Sequence, residues 1–292
     1  MRLEYGLPMI VLGTRYYESS ESANGRQQRA RDAMRGLRGV MPINLQFTDE
    51  TCAPEGFRTM PVLRQDSRTV SGGAGPRMPI MSEMLDRLAD VAREQGCRHF
   101  MFHNSDIRVT QRAVDLVGAG EYDGIAFCRA DLDAATGAFA GMMVIGVDAV
   151  AFELAWWTRN RRYFRAYISG PPYWDNVYSA VICTRGRGTI VTDQELIAHE
   201  QHASTWSAAG AFAEYNGFLA ALDAPYFSRW AHFVAAVQDA RAAGAAYDNA
   251  QLLANVFSGP LLSPRERARH AARHVVARMR YGWLRARRAV TR

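Results

Sequence analysis

Short apolar runs alternate with helix-spaced segments from Pro8 to Cys128, and this alternation limits the fold more than any single residue does. Pro8–Leu12 reads as a strand. Residues 22–37 follow as a helix, with Ala30, Ala33, Met34 and Leu37 on one side. Ile43–Phe47 alternates as a second strand and ends in Thr48-Asp49-Glu50. Ala53–Pro79 reads as a loop rich in Arg, Gly and Pro. Ile80–Glu94 returns to helical spacing and stops at Gly96. Arg98–Phe102 is a strand, residues 110–118 a helix, and Gly124–Cys128 a strand. Strands separated by helices predict an α/β fold whose sheet is mostly parallel, with helices on both faces. Ligands of such sheets sit at the carboxyl ends of the strands, where Asp49 and Asp106 fall.

The pattern then changes. Met142–Phe152 reads as one strand interrupted by Gly146 and Asp148. Ala155–Phe164 is aromatic and basic. Gly170-Pro171-Pro172 is a turn, Trp174 opens a helix running to Ile182, and Thr189–Thr192 is a short strand. His199-Glu200-Gln201-His202 follows on a helix or turn, then Trp206. From Ala208 to about Phe257 the chain is alanine-rich and helical. Ser263-Pro264-Arg265-Glu266 starts a last helix, with Ser263 as cap, Pro264 at the first position and Glu266 bonding back. An apolar stripe runs through Ala268, Ala272, Val275, Val276, Met279 and Trp283. The organisation expected is a catalytic domain over 1–206, a helical extension over 207–262 and a basic amphipathic helix over 263–292.

Charge separates that last segment from the rest. All 35 basic residues are arginine. Residues 264–292 hold ten arginines and one glutamate, which leaves 25 arginines against 28 acids elsewhere. Cys52, Cys97, Cys128 and Cys183 are scattered, which fits neither a disulfide framework nor a thiolate metal site and points to a reducing compartment. No run reaches the length of a membrane span, and the first apolar run does not read as a signal peptide.

Three short segments carry candidate chemistry. Asn104-Ser105-Asp106, after a strand, can hold a divalent cation on a diphosphate; otherwise it is a polar turn or cap before helix 110–118. Asp175, beside Trp174 and Asn176, suits a general base next to a sugar, since aromatic walls pack on sugar rings and raise a carboxyl pKa; otherwise Asp175 is an ordinary cap and Trp174 a core residue. His199 and His202 can turn two imidazoles toward one metal; otherwise they are surface histidines. Their spacing is one residue short of the zinc-protease His-Glu-x-x-His motif. Asp131 and Asp133 mark another acidic strand end. The loop Ser71–Pro76 lacks the P-loop ending and reads as flexible.

In order, these pieces resemble the GT-A superfamily of nucleotide-diphospho-sugar glycosyltransferases, in the variant where Asn-x-Asp-Ile replaces the DxD motif. The segment here is Asn104-Ser105-Asp106-Ile107. Gln27–Ala30 and Leu45–Phe47 are similar to that family's opening unit, Arg129–Asp133 and Gly146–Phe152 to its middle strands, Gly170–Asn176 to its Gly-x-x-x-Trp-Asp-Asn segment, and His199–His202 to its late histidine motif. The likeness spans about residues 8–206. It implies a GT-A type, Rossmann-like sheet with a C-terminal helical extension. It implies sugar transfer from a nucleotide-sugar donor to an acceptor hydroxyl on a carbohydrate or lipid-linked acceptor, assisted by Mn²⁺ or Mg²⁺. Thr14, Arg15, Asn104 and Asp106 would bind the donor; Asp106, His199 and His202 the metal; Trp174 and Asn176 the acceptor; and Asp175 would be the base of an inverting enzyme or orient the acceptor in a retaining one. Asn104, standing where the first acid of DxD belongs, also admits a nucleotide-sugar-binding protein without transfer. His199 and His202 admit a metal-dependent hydrolase. The basic helix either packs its apolar stripe on the protein or lies on an anionic membrane, on the inner face of a cytoplasmic protein's membrane. Nucleic acid is not expected, because aromatic residues interleave with the arginines only at Tyr281 and Trp283.

Overall fold

The computed structural model describes residues 10–73, 75–202, 210–245 and 247–290. The chain falls into two compact units, one from residues 1–64, 84–162 and 185–204, the other from 65–83, 163–184 and 205–292. Segments 65–83 and 163–184, expected within a continuous N-terminal domain, thus cluster with the C-terminal helices.

In chain order the elements begin β1 (Ile10–Thr14), α1 (Glu21–Ala33), β2 (Val40–Phe47), β3 (Arg58–Leu63), α2 (Ser67–Ser71) and α3 (Met81–Glu94). Next come β4 (His99–His103), β5 (Ile107–Val109), α4 (Gln111–Ala119), β6 (Gly124–Phe127), β7 (Arg129–Leu132), β8 (Phe139–Met143), β9 (Ala149–Glu153) and α5 (Leu154–Asn160). The chain closes with α6 (Trp174–Thr184), β10 (Gly188–Val191), β11 (Ile197–Glu200), α7 (Ala211–Leu222), α8 (Ala224–Ala242), α9 (Asn249–Phe257) and α10 (Pro264–Val290).

The first unit carries a seven-stranded sheet in the order β10-β6-β9-β4-β1-β2-β3. All neighbours are parallel except β9, which runs antiparallel to β4 and β6. This is the α/β, mostly parallel sheet with flanking helices that the alternation predicts. Continuous apolar runs suit its central strands, because a sheet covered on both faces has no polar side. Every residue of β1 and of β4 is buried. Gly13 lets α3 approach: a Cβ there would lie 2.1 Å from Leu88 Cδ2. A second sheet, β5-β11-β7-β8, continues from the carboxyl ends of β4 and β6.

Several elements differ from the sequence reading. Residues 53–79 are not all loop: β3 is an edge strand, and an edge tolerates the Pro61 that argues against a strand in sequence. The single strand read over 142–152 is two, β8 and β9, in different sheets. His199 lies on a strand, β11, rather than on a helix or turn. The helical stretch read over 208–257 is three helices, broken at Asp223 beside Pro225 and at Gly244, whose φ is +62°. Pro8, Ala74 and Trp206 lie outside the described residues.

The second unit is helical. Asn216 on α7 is buried and ties down residues 168–172, accepting from Ile168 N and donating to the carbonyls of Ile168, Pro171 and Pro172. Buried Asp223 accepts from Arg165 Nε at 2.7 Å and Tyr167 Oη at 3.0 Å. The reciprocal cap at the start of α10 forms as read: Ser263 N donates to Glu266 and Glu266 N to Ser263 Oγ. No described helix is long and apolar enough to cross a membrane.

His103 closes β4 at zero exposure. Its Nδ1 meets the Asn104 carbonyl at 2.8 Å, and its Nε2 finds no hydrogen-bond partner among the described residues. Burial, opposed only partly by that carbonyl and by Asp106, lowers its pKa to about 4. The unfolded chain takes up this proton near pH 6.5 and the native chain only near pH 4, so stability is lost as pH falls through that window. Urea titrations of wild type and His103→Phe at pH 7.5 and 4.5 check this. The wild type should lose about 2–3 kcal/mol more than the variant on acidification; equal losses would contradict it.

Candidate functional site

A chain of polar contacts in the first unit runs from the end of β4 across the second sheet. The turn after β4 is pinned by its own backbone: Asn104 N donates to Asp148 O at 2.9 Å, and Ile107 N to Asn104 O at 3.1 Å. Asn104 Nδ2 donates to Asp148 Oδ1 at 2.6 Å. Asp148 Oδ2 accepts from Arg129 Nη1 at 2.8 Å, and Arg129 Nε donates to Asp131 Oδ1, also at 2.8 Å. Asp131 Oδ1 faces His199 Nδ1 at 3.3 Å. His199 Nε2 then lies 3.4 Å from Asp106 Oδ2, and His202 Nε2 lies 3.3 Å from the same oxygen.

Strand register produces this order. β11 lies between β5 and β7, pairing His199 with Ile107 on one side and with Asp131 on the other. Ile107 carries Asp106 with it as its chain neighbour. His199 is therefore caught between two carboxylates that are 25 residues apart in sequence. Both the ring and Asp131 are buried. Asp131 faces Nδ1 and Asp106 faces Nε2; a carboxylate behind a histidine orients the ring in this way at metal sites.

Asp106, His199 and His202 form a candidate metal-binding group, with one donor atom from each residue, all within 4.8 Å of one another. Ligands bonded at about 2.0–2.1 Å to a tetrahedral centre are about 3.3–3.4 Å apart, the spacing seen from Asp106 to each imidazole. The charge also suits a cation. Within the contact chain one guanidinium, Arg129, stands against the carboxylates of Asp106, Asp131 and Asp148. Burial opposes ionisation of Asp106, but hydrogen bonds and charge from His199, with a bond from His202, outweigh it and hold the carboxyl well below its usual range. Glu200, between the histidines in sequence, is spent elsewhere, in a two-point bond with Arg29 at 2.6 and 2.7 Å.

The other expected residues have different surroundings. Thr14 is fully buried, and its hydroxyl donates to the His103 carbonyl at 2.8 Å, joining the ends of β1 and β4. Arg15 pairs with Glu50 and lies over the Phe47 and Tyr17 rings. Asn104 orients the turn through Asp148. Gly72 terminates α2, and Ser67 Oγ bonds Pro76 O and Met78 N across the loop's base, so the glycine-rich segment is tethered.

Asp175, Trp174 and Asn176 belong to the second unit. Asp175 lies in the first turn of α6, partly exposed, with Asn176 Nδ2 at 3.4 Å from its Oδ2. Trp174 is buried and meets Tyr178 edge-on, and Asn176 is buried as well. Tyr173, just before them, has φ of +92°, a costly conformation for a residue with a Cβ. Strain of this kind persists where surrounding contacts over-determine the backbone, and it concentrates at functional segments. Here Asn216 holds Pro171 and Pro172, and the Tyr173 ring packs on Phe227.

Sequence reasoning placed Asp131 only as an acidic strand end and missed Arg129 and Asp148 as the links between Asn104 and His199. Their one sequence signal is a charged residue inside or beside an otherwise apolar strand.

No protein-family model matches the chain, and no curated protein does. Solved structures similar to it include S. aureus TarS 1-349 in complex with UDP-GlcNAc, at 9% identity over 85% of this chain and 78% of that one, TM-score 0.44. TarS 1-349 in complex with UDP matches at 10% identity over 85% and 70%, TM-score 0.43. A further structure of S. aureus TarS matches at 11% identity over 77% and 43%, TM-score 0.45.

If Asp131 orients His199 for a metal, Asp131→Asn should weaken Mn²⁺ or Zn²⁺ binding about 10- to 100-fold by titration calorimetry. Asp133→Asn, two residues on, should not, because Asp133 only holds its own turn through Thr136. Equal affinities for Asp131→Asn and wild type would refute the role.

Proposed function

We propose that this protein is a metal-assisted glycosyltransferase that moves a sugar from a nucleotide-sugar donor to an acceptor hydroxyl. The observation that carries the reading is the Asp106–His199–His202 group, backed by Asp131, at the end of a strand of a mostly parallel sheet. That is the place where such folds bind phosphorylated ligands. The motif order resembling the GT-A superfamily supports it independently of that geometry.

In this reading Asp106, His199 and His202 hold a divalent cation that offsets the charge growing on the departing diphosphate. The ligand set of two nitrogens and one carboxylate favours Mn²⁺ over Mg²⁺, which demands oxygen ligands. Asp131, facing Nδ1, would orient the His199 ring so that Nε2 is turned toward the cation. Asn104, donating to Asp148, fixes the turn that presents Asp106. Arg129, in contact with both Asp131 and Asp148 at 2.8 Å, balances their charge. Asp175, partly exposed on the strained Tyr173–Asn176 turn, is the proposed base that takes the acceptor proton. Trp174 and Asn176, beside it in the first turn of α6, are the proposed acceptor-binding residues. The acceptor is a carbohydrate or lipid-linked hydroxyl.

One observation favours a second reading. The spacing about Asp106 also suits zinc, which would make the centre that of a metal-dependent hydrolase.

Thermal shift against UDP, GDP, CMP and dTDP, each with and without Mn²⁺, separates the two, because a ligand that binds only the native state raises Tm. The transferase reading expects stabilisation by one nucleotide, larger with Mn²⁺ and lost in Asp106→Ala. It also expects Asp175→Asn to bind that nucleotide normally while losing about 100-fold or more in transfer rate. Stabilisation by Zn²⁺ with no response to any nucleotide would overturn it in favour of the hydrolase.

A further inference from the structure

The last helix, α10, has two apolar stripes, and only one of them is used inside the protein. Among the described residues of α10, His270, His274, Ala277, Tyr281 and Leu284 are withdrawn from solvent. They recur every three or four residues, which places them on one side of the helix. This side packs on α7: Tyr281 is buried and stacks on Phe218 with ring centroids 4.5 Å apart, and it also meets Tyr215. His274 Nε2 meets the Leu222 carbonyl at 2.7 Å.

The second stripe is the one that stands out in the sequence. Val275, Val276, Met279 and Trp283 are 58%, 64%, 70% and 60% exposed. At about 100° per residue they share an arc of about 100°, centred about 170° from the packed stripe. Ala268, Ala272 and Ala286 lie on the same arc and are exposed as well. The packing of α10 thus turns its most apolar side chains outward. Single exposed apolar residues are ordinary, but a row of this length marks a surface built to be covered.

Charge identifies what covers it. Arg265, Arg267, Arg269, Arg273, Arg278, Arg280, Arg285 and Arg287 are all exposed, and Glu266 is the only acid on the helix. On the helical wheel Arg269, Arg273, Arg280 and Arg287 flank the apolar row on one side, and Arg267, Arg278 and Arg285 on the other. The Arg287 guanidinium lies 5.4 Å over the Trp283 ring. A second copy of this helix would set arginine rows of like charge against each other. A nucleic acid would leave the valines and methionine in water. An anionic lipid surface satisfies both features at once: the apolar row enters the headgroup–acyl boundary, Trp283 sits at the depth preferred by indoles, and the flanking guanidiniums meet lipid phosphates.

We propose that α10 is a peripheral membrane-docking helix, bound through Tyr281 to its own helical unit and through Val275, Val276, Met279 and Trp283 to an anionic bilayer. It lies in the interface and does not cross it, in keeping with the absence of any spanning helix among the described residues. The inference does not depend on the proposed reaction.

Flotation of the full chain with vesicles tests it, using phosphatidylcholine alone and phosphatidylcholine with about one-third phosphatidylglycerol. The protein should float with the anionic vesicles and not with the neutral ones, and salt near 1 M should weaken the binding because exposed charges are screened. Val276→Glu/Met279→Glu, placed on the outward stripe so that the Tyr281 contact stays intact, should lower partitioning about tenfold or more with unchanged circular dichroism and Tm. Arg273→Glu/Arg280→Glu should do the same while leaving the apolar row whole. Partitioning that ignores lipid charge, survives both variants or is absent would overturn the proposal. So would a dimer lost in Val276→Glu/Met279→Glu, or RNA binding, in a protein that does not float; these results would assign the stripe to a second copy or to nucleic acid.

Discussion

His199 is held between two carboxylates, and the arrangement of the first unit's polar centre follows from that. A buried imidazole with a carboxylate on each side needs strands on both flanks to bring those carboxylates to it. β11 does this by pairing with β5 and β7 at once, with Asp106 arriving beside Ile107 and Asp131 in register opposite His199. Buried carboxylates in turn require compensation. Arg129, bridging Asp131 and Asp148 at 2.8 Å each, supplies it. The two contacts join Arg129, Asp131 and Asp148 into one polar unit. Asp148 can join only because the chain between Met143 and Ala149 leaves one sheet for the other.

The large sheet was legible in the sequence because its signal is local. Ile10–Leu12, Phe100–Phe102 and Ile125–Phe127 are apolar runs, Ile43–Phe47 alternates, and helices separate them. The cap Ser263–Glu266 was legible for the same reason, since both partners lie within one turn. The second sheet was not. Its strands are short, they carry Asp131, His199 and Glu200, and their pairing joins residues far apart in the chain. Sequence spacing alone therefore put the histidines on a helix or turn. β3 was hidden by Pro61, which an edge strand accommodates.

The candidate residues divide along the same line. The resemblance grouped Asp106, His199 and His202 as metal ligands, and the structure places their donor atoms within 4.8 Å of one another. Thr14 and Arg15 were expected at the donor from their place at a strand end; Thr14 bonds the His103 carbonyl and Arg15 pairs with Glu50. α10 shows the limit of sequence patterns in another form. Its sequence displays one apolar stripe clearly, yet the stripe that packs is the less obvious one, anchored by Tyr281. Two histidines, an alanine, a tyrosine and a leucine bury enough to hold the helix, which frees the stronger apolar face for a different surface.

The central claim is that Asp106, His199 and His202 together ligate one metal ion. Pulsed EPR of the Mn²⁺-loaded protein addresses it directly, since nitrogen nuclei bound to Mn²⁺ modulate the electron spin echo. The account predicts couplings from two imidazoles in the wild type, one imidazole's share lost in His199→Ala and the other's in His202→Ala, and no bound Mn²⁺ signal in Asp106→Ala. Nitrogen modulation that is absent, or unchanged in both histidine variants, would contradict it.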